Sequence, residues 1–510
     1  MTTSTEHFDI LIVGAGISGI DAAYHLQQHF PARRFTLLES QESFGGTWLT
    51  HKFPGIRSDS DLYTFGYKWK PWSGPPIATA PEILAYLNEV LDEQDIRRHI
   101  RFRHAVTAAV WSSGDRCWTL DVRRGEGGET AQFTCNFLWM CQGYYRHHEG
   151  FTPEFPGREL FQGPVVHPQT WPEDLDYEDK TVVVIGSGAT AATLIPAMTE
   201  KAAHVTMLQR SPTYFYPKPN VNEVAEMMRQ LDIPEEWTHE IVRRSVLLEQ
   251  RITTRRSFEE PEALRKELMD GVRAYLGPDY DVDTHFNPSY RPWRQRLAVV
   301  PDGDLFKGIR AGKASVVTGH IETFTESGIL LKSGKELRAD IIVTATGFNL
   351  SALGDIPFVI DGEPLDFSQC FGHHGILFSG VPNMAWVFGY LRTSWTMRAD
   401  LVCGFVCRLL KHMDAIGADV VTAELREEDH DMSALPFIDP ENFNAGYLTR
   451  KMHIMPKQGD REPWTFSQNY YTEKDLIEGA DLEDGTLVYR YSMQPTLETT
   501  IRHKIEDLHS

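Results

Sequence analysis

The chain has 510 residues, 41% of them hydrophobic and 11% aromatic, as expected of a soluble globular protein with about two to four domains. Its formal net charge of -21 would repel phosphate backbones and anionic lipid, which argues against nucleic acid and membrane surfaces as partners. No apolar run approaches the roughly 20 residues that span a bilayer, and the amino terminus lacks the basic, apolar and small-residue pattern of a signal peptide. The six cysteines form neither a disulfide framework nor a metal-type repeat, so a reduced, cytoplasmic protein with no bound metal is expected.

Taken in chain order, the first element is a continuous apolar run, FDILIV, of the kind that forms a strand buried on both faces of a parallel sheet. It turns through Gly14-Ala15-Gly16-Ile17-Ser18-Gly19 into a helical pattern and returns as the strand FTLLES. This is a βαβ unit with the G-x-G-x-x-G spacing of dinucleotide-binding folds. Gly14 makes the tight turn, Gly16 lets a diphosphate approach the backbone and Gly19 lets helix and strand pack closely. Glu39 ends the second strand, where a carboxylate accepts hydrogen bonds from ribose hydroxyls and repels a 2′-phosphate. The first site is therefore expected to take FAD or NAD and to exclude NADP.

The Pro- and Gly-rich stretch from Gly150 to Trp171 reads as an interdomain linker. After it the layout repeats: TVVVIGSGATAATLIPAMTE, then HVTMLQRS. The second turn, Gly186-Ser187-Gly188-Ala189-Thr190-Ala191, has alanine in the third glycine position. In place of Glu39 it has Arg210 followed by Ser211, and an arginine fork matches a phosphate in charge and shape, which favours NADPH. A purely structural Arg210 is the alternative. From about residue 220 to 300 the chain becomes charged and helix-favouring, predicting a helical insertion. The strand at Ala339–Phe348 is expected to lead the chain back to the first domain.

The predicted fold class is α/β: two Rossmann-like dinucleotide-binding domains, for FAD and NADPH, with a helical insertion in the second. The expected boundaries are 1–149 for the first part of the FAD domain and 150–172 for the linker. Residues 173–345 are expected to form the NADPH domain, and 346–510 the rest of the FAD domain. One flavin-type and one NADPH-type site in one chain suit hydride transfer from nicotinamide to flavin. The sequence has no C-x-x-C or C-x4-C redox pair to accept the electrons, which leaves O2 as the oxidant. Cys403 and Cys407, one helical turn apart, read as buried small apolar residues.

Two longer motifs narrow this. Phe161-Gln162-Gly163, His167 and Trp171-Pro172 match F-x-G-x-x-x-H-x-x-x-W-P. Gly45-Gly46-Thr47-Trp48, Phe53-Pro54-Gly55 and Asp59 match G-G-x-W-x4-[FY]-P-G-x3-D. On these the chain resembles the type I Baeyer–Villiger monooxygenases of the flavin-containing monooxygenase superfamily, closest to the ethionamide-activating branch.

The resemblance implies FAD and NADPH as cofactors, a ketone and O2 as substrates, and an ester or lactone formed through a flavin 4a-peroxide. Sulfide oxidation is the implied side activity. It further implies that Arg296, which follows Pro288-Ser289-Tyr290, is catalytic and that Asp59 orients it. Asp61 is the alternative carboxylate, and turn capping the alternative role for Asp59. Gln295 stands where relatives often have a lysine that helps hold the 2′-phosphate. Gly46, Thr47, Trp48 and Asp59 would line the flavin or substrate pocket. Trp464 and Asn469 resemble a segment lying over the cofactor, with a core tryptophan as the alternative. Phe161, Gly163, His167 and Trp171 would set how the domains dock. The competing reading is an N- or S-hydroxylating flavin monooxygenase. The ketone (linear, aryl or small cyclic, leaning to the first two) and the oligomeric state (monomer or homodimer) are left open.

Overall fold

The structure is a computed structural model and describes residues 5–491; the outer ends of the first and last expected domain spans lie outside the described residues. The apolar run at the start forms the strand Glu6–Val13, whose Ile10, Leu11 and Ile12 are fully buried. It pairs in parallel with Phe35–Leu38 on one side and with Glu129–Met140 on the other. Burying each such branched side chain contributes on the order of 1.5–3 kcal/mol, so this central run anchors the sheet.

Besides Glu6–Val13, the strand Glu129–Met140 serves two further partners. Its first part pairs antiparallel with Cys117–Arg124, and its last three residues pair in parallel with Met384–Trp386. One sheet therefore contains both the amino-terminal βαβ unit and chain from beyond residue 380. The helix Ile17–His29 packs on it together with the long helix Trp395–Ile416, which carries the buried Cys403 and Cys407.

The second sheet is wholly parallel. Its strand order is Ala314–Thr318, His204–Gln209, Thr181–Ile185, Ile341–Thr344, Val165–Val166. The last of these comes from the stretch read as a linker, which thus supplies an edge strand. Two residues leave no periodicity in the sequence to reveal a strand. The run at Ala339–Phe348 divides: Ile341–Thr344 belongs to this sheet, and Phe348–Leu350 pairs antiparallel with Tyr145–Gly150. Outgoing and returning connections between the sheets thus form one short ribbon. The fold is α/β with two Rossmann-like units, and helices Glu223–Gln230, Glu235–Glu259, Pro261–Leu276 and Val282–Phe286 form the insertion in the second. No helix among the described residues is long and apolar enough to cross a membrane.

Candidate active site

Three segments meet at the first glycine turn. Gly14 has φ +103°, and its N–H donates to Leu38 O at 2.8 Å. A Cβ on Gly14 would lie 2.8 Å from Cys141 O, and one on Gly19 would collide with Gly14 O. Gly16 caps the helix Ile17–His29 and faces Gly46, whose Cα would lie 3.6 Å from a Cβ there; Gly45 N–H donates to Ala15 O at 3.0 Å. Glu39 is 5% exposed, and its two carboxylate oxygens accept from Ala15 N–H at 2.8 Å and Gln41 N–H at 2.9 Å. A close-packed backbone at a helix start with a buried carboxylate opposite fits a ribose-diphosphate, so these residues suit FAD. Thr47 and Trp48 lie just past Gly46: Thr47 Oγ1 hydrogen-bonds Tyr145 OH at 2.7 Å, and Trp48 meets Phe65 edge-on at 5.7 Å.

The second turn repeats the backbone and differs in its surroundings. Gly186 has φ +134° and donates to Leu208 O at 2.8 Å, while a Cβ on Gly188 would meet nothing within 4 Å. Ser187 Oγ donates to Ser211 O at 3.3 Å and hydrogen-bonds Thr213 Oγ1 at 2.9 Å. Thr190 lies in the first turn of helix Ala189–Met198, which Gly188 caps. Arg210 is exposed at the end of the neighbouring strand, and no ion pair holds it among the described residues.

Arg296 and Asp59 form a two-pronged ion pair, Nε to Oδ2 at 2.7 Å and Nη2 to Oδ1 at 2.6 Å. Nη2 also donates to Ser60 Oγ at 2.8 Å, and Nη1 to Leu391 O at 2.5 Å. Burial alone would lower the pKa of this guanidinium. The adjacent Asp59 carboxylate outweighs it and holds the value above the ordinary one for arginine. Both side chains keep contact with solvent, Arg296 at 25% and Asp59 at 31%, because they line an open cleft of about 780 Å³.

The far wall of the cleft is the helix Glu235–Glu259, whose Val246, Glu249, Gln250 and Thr253 share one face by their spacing. Asp61, the alternative partner for the arginine, instead caps the helix Leu62–Phe65 by accepting from Tyr63 N–H at 3.0 Å. Burial pushes its carboxyl up to about 6.

The long motifs fasten the two halves together. Phe53 is buried in the core of the second unit, and a Cβ on Gly55 would lie 2.6 Å from Ala197 Cβ. Arg57 reaches across to Asp304, Nη1 to Oδ2 at 2.5 Å. Phe161 packs edge-on with Phe324, a Cβ on Gly163 would collide with Asp340 O, and Trp171 lies in the second core. His167 Nε2 hydrogen-bonds Gly347 O at 3.2 Å and its Nδ1 accepts from Gln169 N–H at 3.1 Å. Gly150 leaves the space its ring needs, since a Cβ there would overlap the imidazole. His167 also borders a crevice of about 220 Å³ with His51, Phe53, Thr190 and Phe348.

Trp464 is fully buried among core residues, edge-on to His373 at 5.4 Å, a placement that suits the core-packing alternative. Asn469 likewise caps the helix Tyr470–Glu478 through Tyr471 N–H. Sequence reasoning placed Phe53 and Gly55 in a motif without giving them a docking role, and it missed Arg57. It also missed Tyr144 and Tyr447, whose hydroxyls lie close enough to Arg296 to feel its charge; burial holds both above their usual range. Neither has a local signature.

The family described as pyridine nucleotide-disulphide oxidoreductase matches residues 8–254. The FAD-containing monooxygenase EthA of Mycobacterium tuberculosis (strain ATCC 25618 / H37Rv) is 46% identical over 493 residues, covering 96% of this chain and 99% of its own. The probable FAD-binding monooxygenase AlmA of Acinetobacter baylyi is 45% identical over 489 residues, covering 94% and 96%. Among solved structures, an oxidized steroid monooxygenase bound to NADP superposes with a TM-score of 0.73 at 22% identity, covering 95% of this chain and all of that one. That last likeness bears on the fold alone.

Proposed function

The chain belongs to the FAD-containing monooxygenases, and on that premise we propose that it carries out NADPH- and O2-dependent Baeyer–Villiger oxidation of ketones to esters or lactones. The overall balance is ketone, O2, NADPH and a proton giving ester, water and NADP. Reduced flavin, when bound, supplies the activated oxygen. The first turn, with Gly14, Gly16, Gly19, Glu39, Gly46, Thr47 and Trp48, would hold it. The second, with Gly186, Ser187, Gly188, Thr190, Arg210 and Ser211, would hold NADPH.

The observation that carries the proposal is the Asp59-held Arg296 at the wall of the open cleft. Insertion beside a carbonyl develops negative charge on the carbonyl oxygen as the oxygen nucleophile adds. A permanent cation fixed in advance lowers the cost of that charge without reorganising. Asp59 keeps the guanidinium plane fixed and reduces the net positive charge of the site. His167 sets domain docking and moves no proton, since both its nitrogens are committed to backbone groups. An open cleft also admits sulfides, so their oxidation is expected as a side activity.

Replacing Arg296 with Ala removes the positioned cation. Ester formation should drop by a factor on the order of 100 to 1,000 or more, with FAD still bound. The test is product yield per NADPH in holoenzyme with matched flavin content. Near-normal ester yield from Arg296→Ala would refute the assignment. Loss of ester with sulfide oxygenation intact would show that the arginine is specific to the carbonyl reaction.

A further inference from the structure

The cleft beside Arg296 contains a second arginine that no carboxylate contacts directly, although Asp439 and Glu473 are near enough to act on its charge. Arg392 lines the cleft and is only 6% exposed, yet its Nε and Nη1 have no hydrogen-bond partner, and among the described residues no carboxylate lies within ion-pair distance. Of the other charged groups at the cleft, Asp61 caps the helix Leu62–Phe65 and the rest are paired. Arg296 takes Asp59, and Lys218 takes both oxygens of Glu249 at 3.0 and 2.9 Å. Arg392 rests 5.7 Å above the Phe258 ring, which Arg291 also covers at 3.9 Å.

Its place is fixed on both sides. Leu391 O accepts from Arg296, and Thr393 Oγ1 donates to Gln250 Oε1 at 2.5 Å. Burial, with Arg291 beside it, lowers its pKa to about 10, which still leaves it cationic at neutral pH. A buried, unpaired guanidinium is costly, and the cost is recovered when an incoming anion supplies the missing partner. A cationic guanidinium with unmet donors is complemented in charge by a carboxylate.

We infer that Arg392 is the anion-recognising residue of the substrate cleft, and that the substrate is an oxo acid, a ketone bearing a carboxylate at a distance from its carbonyl. The inference rests on the Baeyer–Villiger reading of the cleft. Arg296 and Arg392 line the same space, so one molecule presents its carbonyl to the first and its carboxylate to the second. The carboxylate thereby selects the substrate and sets which end faces the oxidant. The same donors would suit a phosphate of NADPH, and the experiment separates the two sources.

The experiment compares 7-oxooctanoate with its methyl ester, which is neutral and otherwise the same chain, using the FAD-loaded enzyme. The expected kcat/KM ratio is at least about tenfold in favour of the acid, falling to about one in Arg392→Met and partly restored in Arg392→Lys. A ratio near one in the wild type, or a ratio unchanged in Arg392→Met, overturns the inference. So does a raised KM for NADPH in Arg392→Met with the acid preference intact, because the anion is then the dinucleotide. Calorimetric binding of octanoate, which undergoes no turnover, keeps this separate from the reaction itself. If no ketone is oxygenated, the Baeyer–Villiger reading fails; binding at least about tenfold tighter to wild type than to Arg392→Met still upholds the anion site, and equal binding removes it.

Discussion

Around the first glycine turn the protein is closed: Gly16 faces Gly46, Glu39 is buried against Ala15 N–H, and Gly19 has no room for a methyl group. Around the second it is open: Gly188 faces empty space, Arg210 is exposed, and an alanine, Ala191, occupies the third position. The backbone is nearly the same in both, with φ of +103° and +134° at the first glycine and the same hydrogen bond to the neighbouring strand. The motif therefore specifies the turn, and its surroundings specify how the ligand is used. A walled turn releases its ligand only if the wall moves, which suits a flavin kept through many cycles. An open turn suits a dinucleotide that is exchanged.

The sharpest way to break this comparison is a single methyl group at each turn. Gly19→Ala should cost about 1–3 kcal/mol and yield protein nearly free of flavin, whereas Gly188→Ala should keep stability within about 0.5 kcal/mol. Flavin absorbance and thermal melts of the two variants check this; equal losses would end the distinction.

Arg210→Ala should come next in size. Removing a charged phosphate contact is expected to raise KM for NADPH roughly 10- to 100-fold while leaving NADH within about twofold. Parallel losses for both dinucleotides would give Arg210 a structural role instead.

His167→Ala should slow flavin reduction on the order of tenfold and divert reducing equivalents to hydrogen peroxide, because the docking of the two halves loosens. Stopped-flow reduction rates unchanged from wild type would remove His167 from domain docking.

The last effect concerns pH and leaves the reaction itself untouched. Burial, with His147 and His167 nearby, lowers His51 to about 4. The folded form thus binds a proton less readily than the unfolded one, with its ordinary 6.5. The stability His51 contributes is complete above pH 6.5 and is lost as pH falls towards 4, on the order of 2–3 kcal/mol. Melting profiles over that window should flatten by a few degrees in His51→Gln. An unchanged profile would mean that His51 is not the group titrating at the crevice.

The two turns were legible in the sequence because everything that makes them is local: a β-branched run, three spaced small residues and the last residue of the next strand. The Arg296–Asp59 pair is separated by 237 positions, and only the resemblance joined the two residues. Composition could not choose between Asp59 and Asp61; the backbone did, by spending Asp61 on a helix cap. The strand Val165–Val166 was too short to show a period. Trp464 stayed open between two roles because a tryptophan in a loose motif looks the same whether it faces a ligand or a core. Arg392 left no trace, since a missing partner is visible only once every neighbour is in place.

The most direct test of the account is turnover of a ketone panel under 18O2 by the FAD-loaded protein, with NADPH consumed, ester formed and hydrogen peroxide released all quantified. The account predicts ester in step with NADPH, with one 18O atom at the inserted position. NADPH oxidised to hydrogen peroxide alone, with label entering sulfides or amines and never a ketone, would contradict it and assign the chain to heteroatom oxygenation.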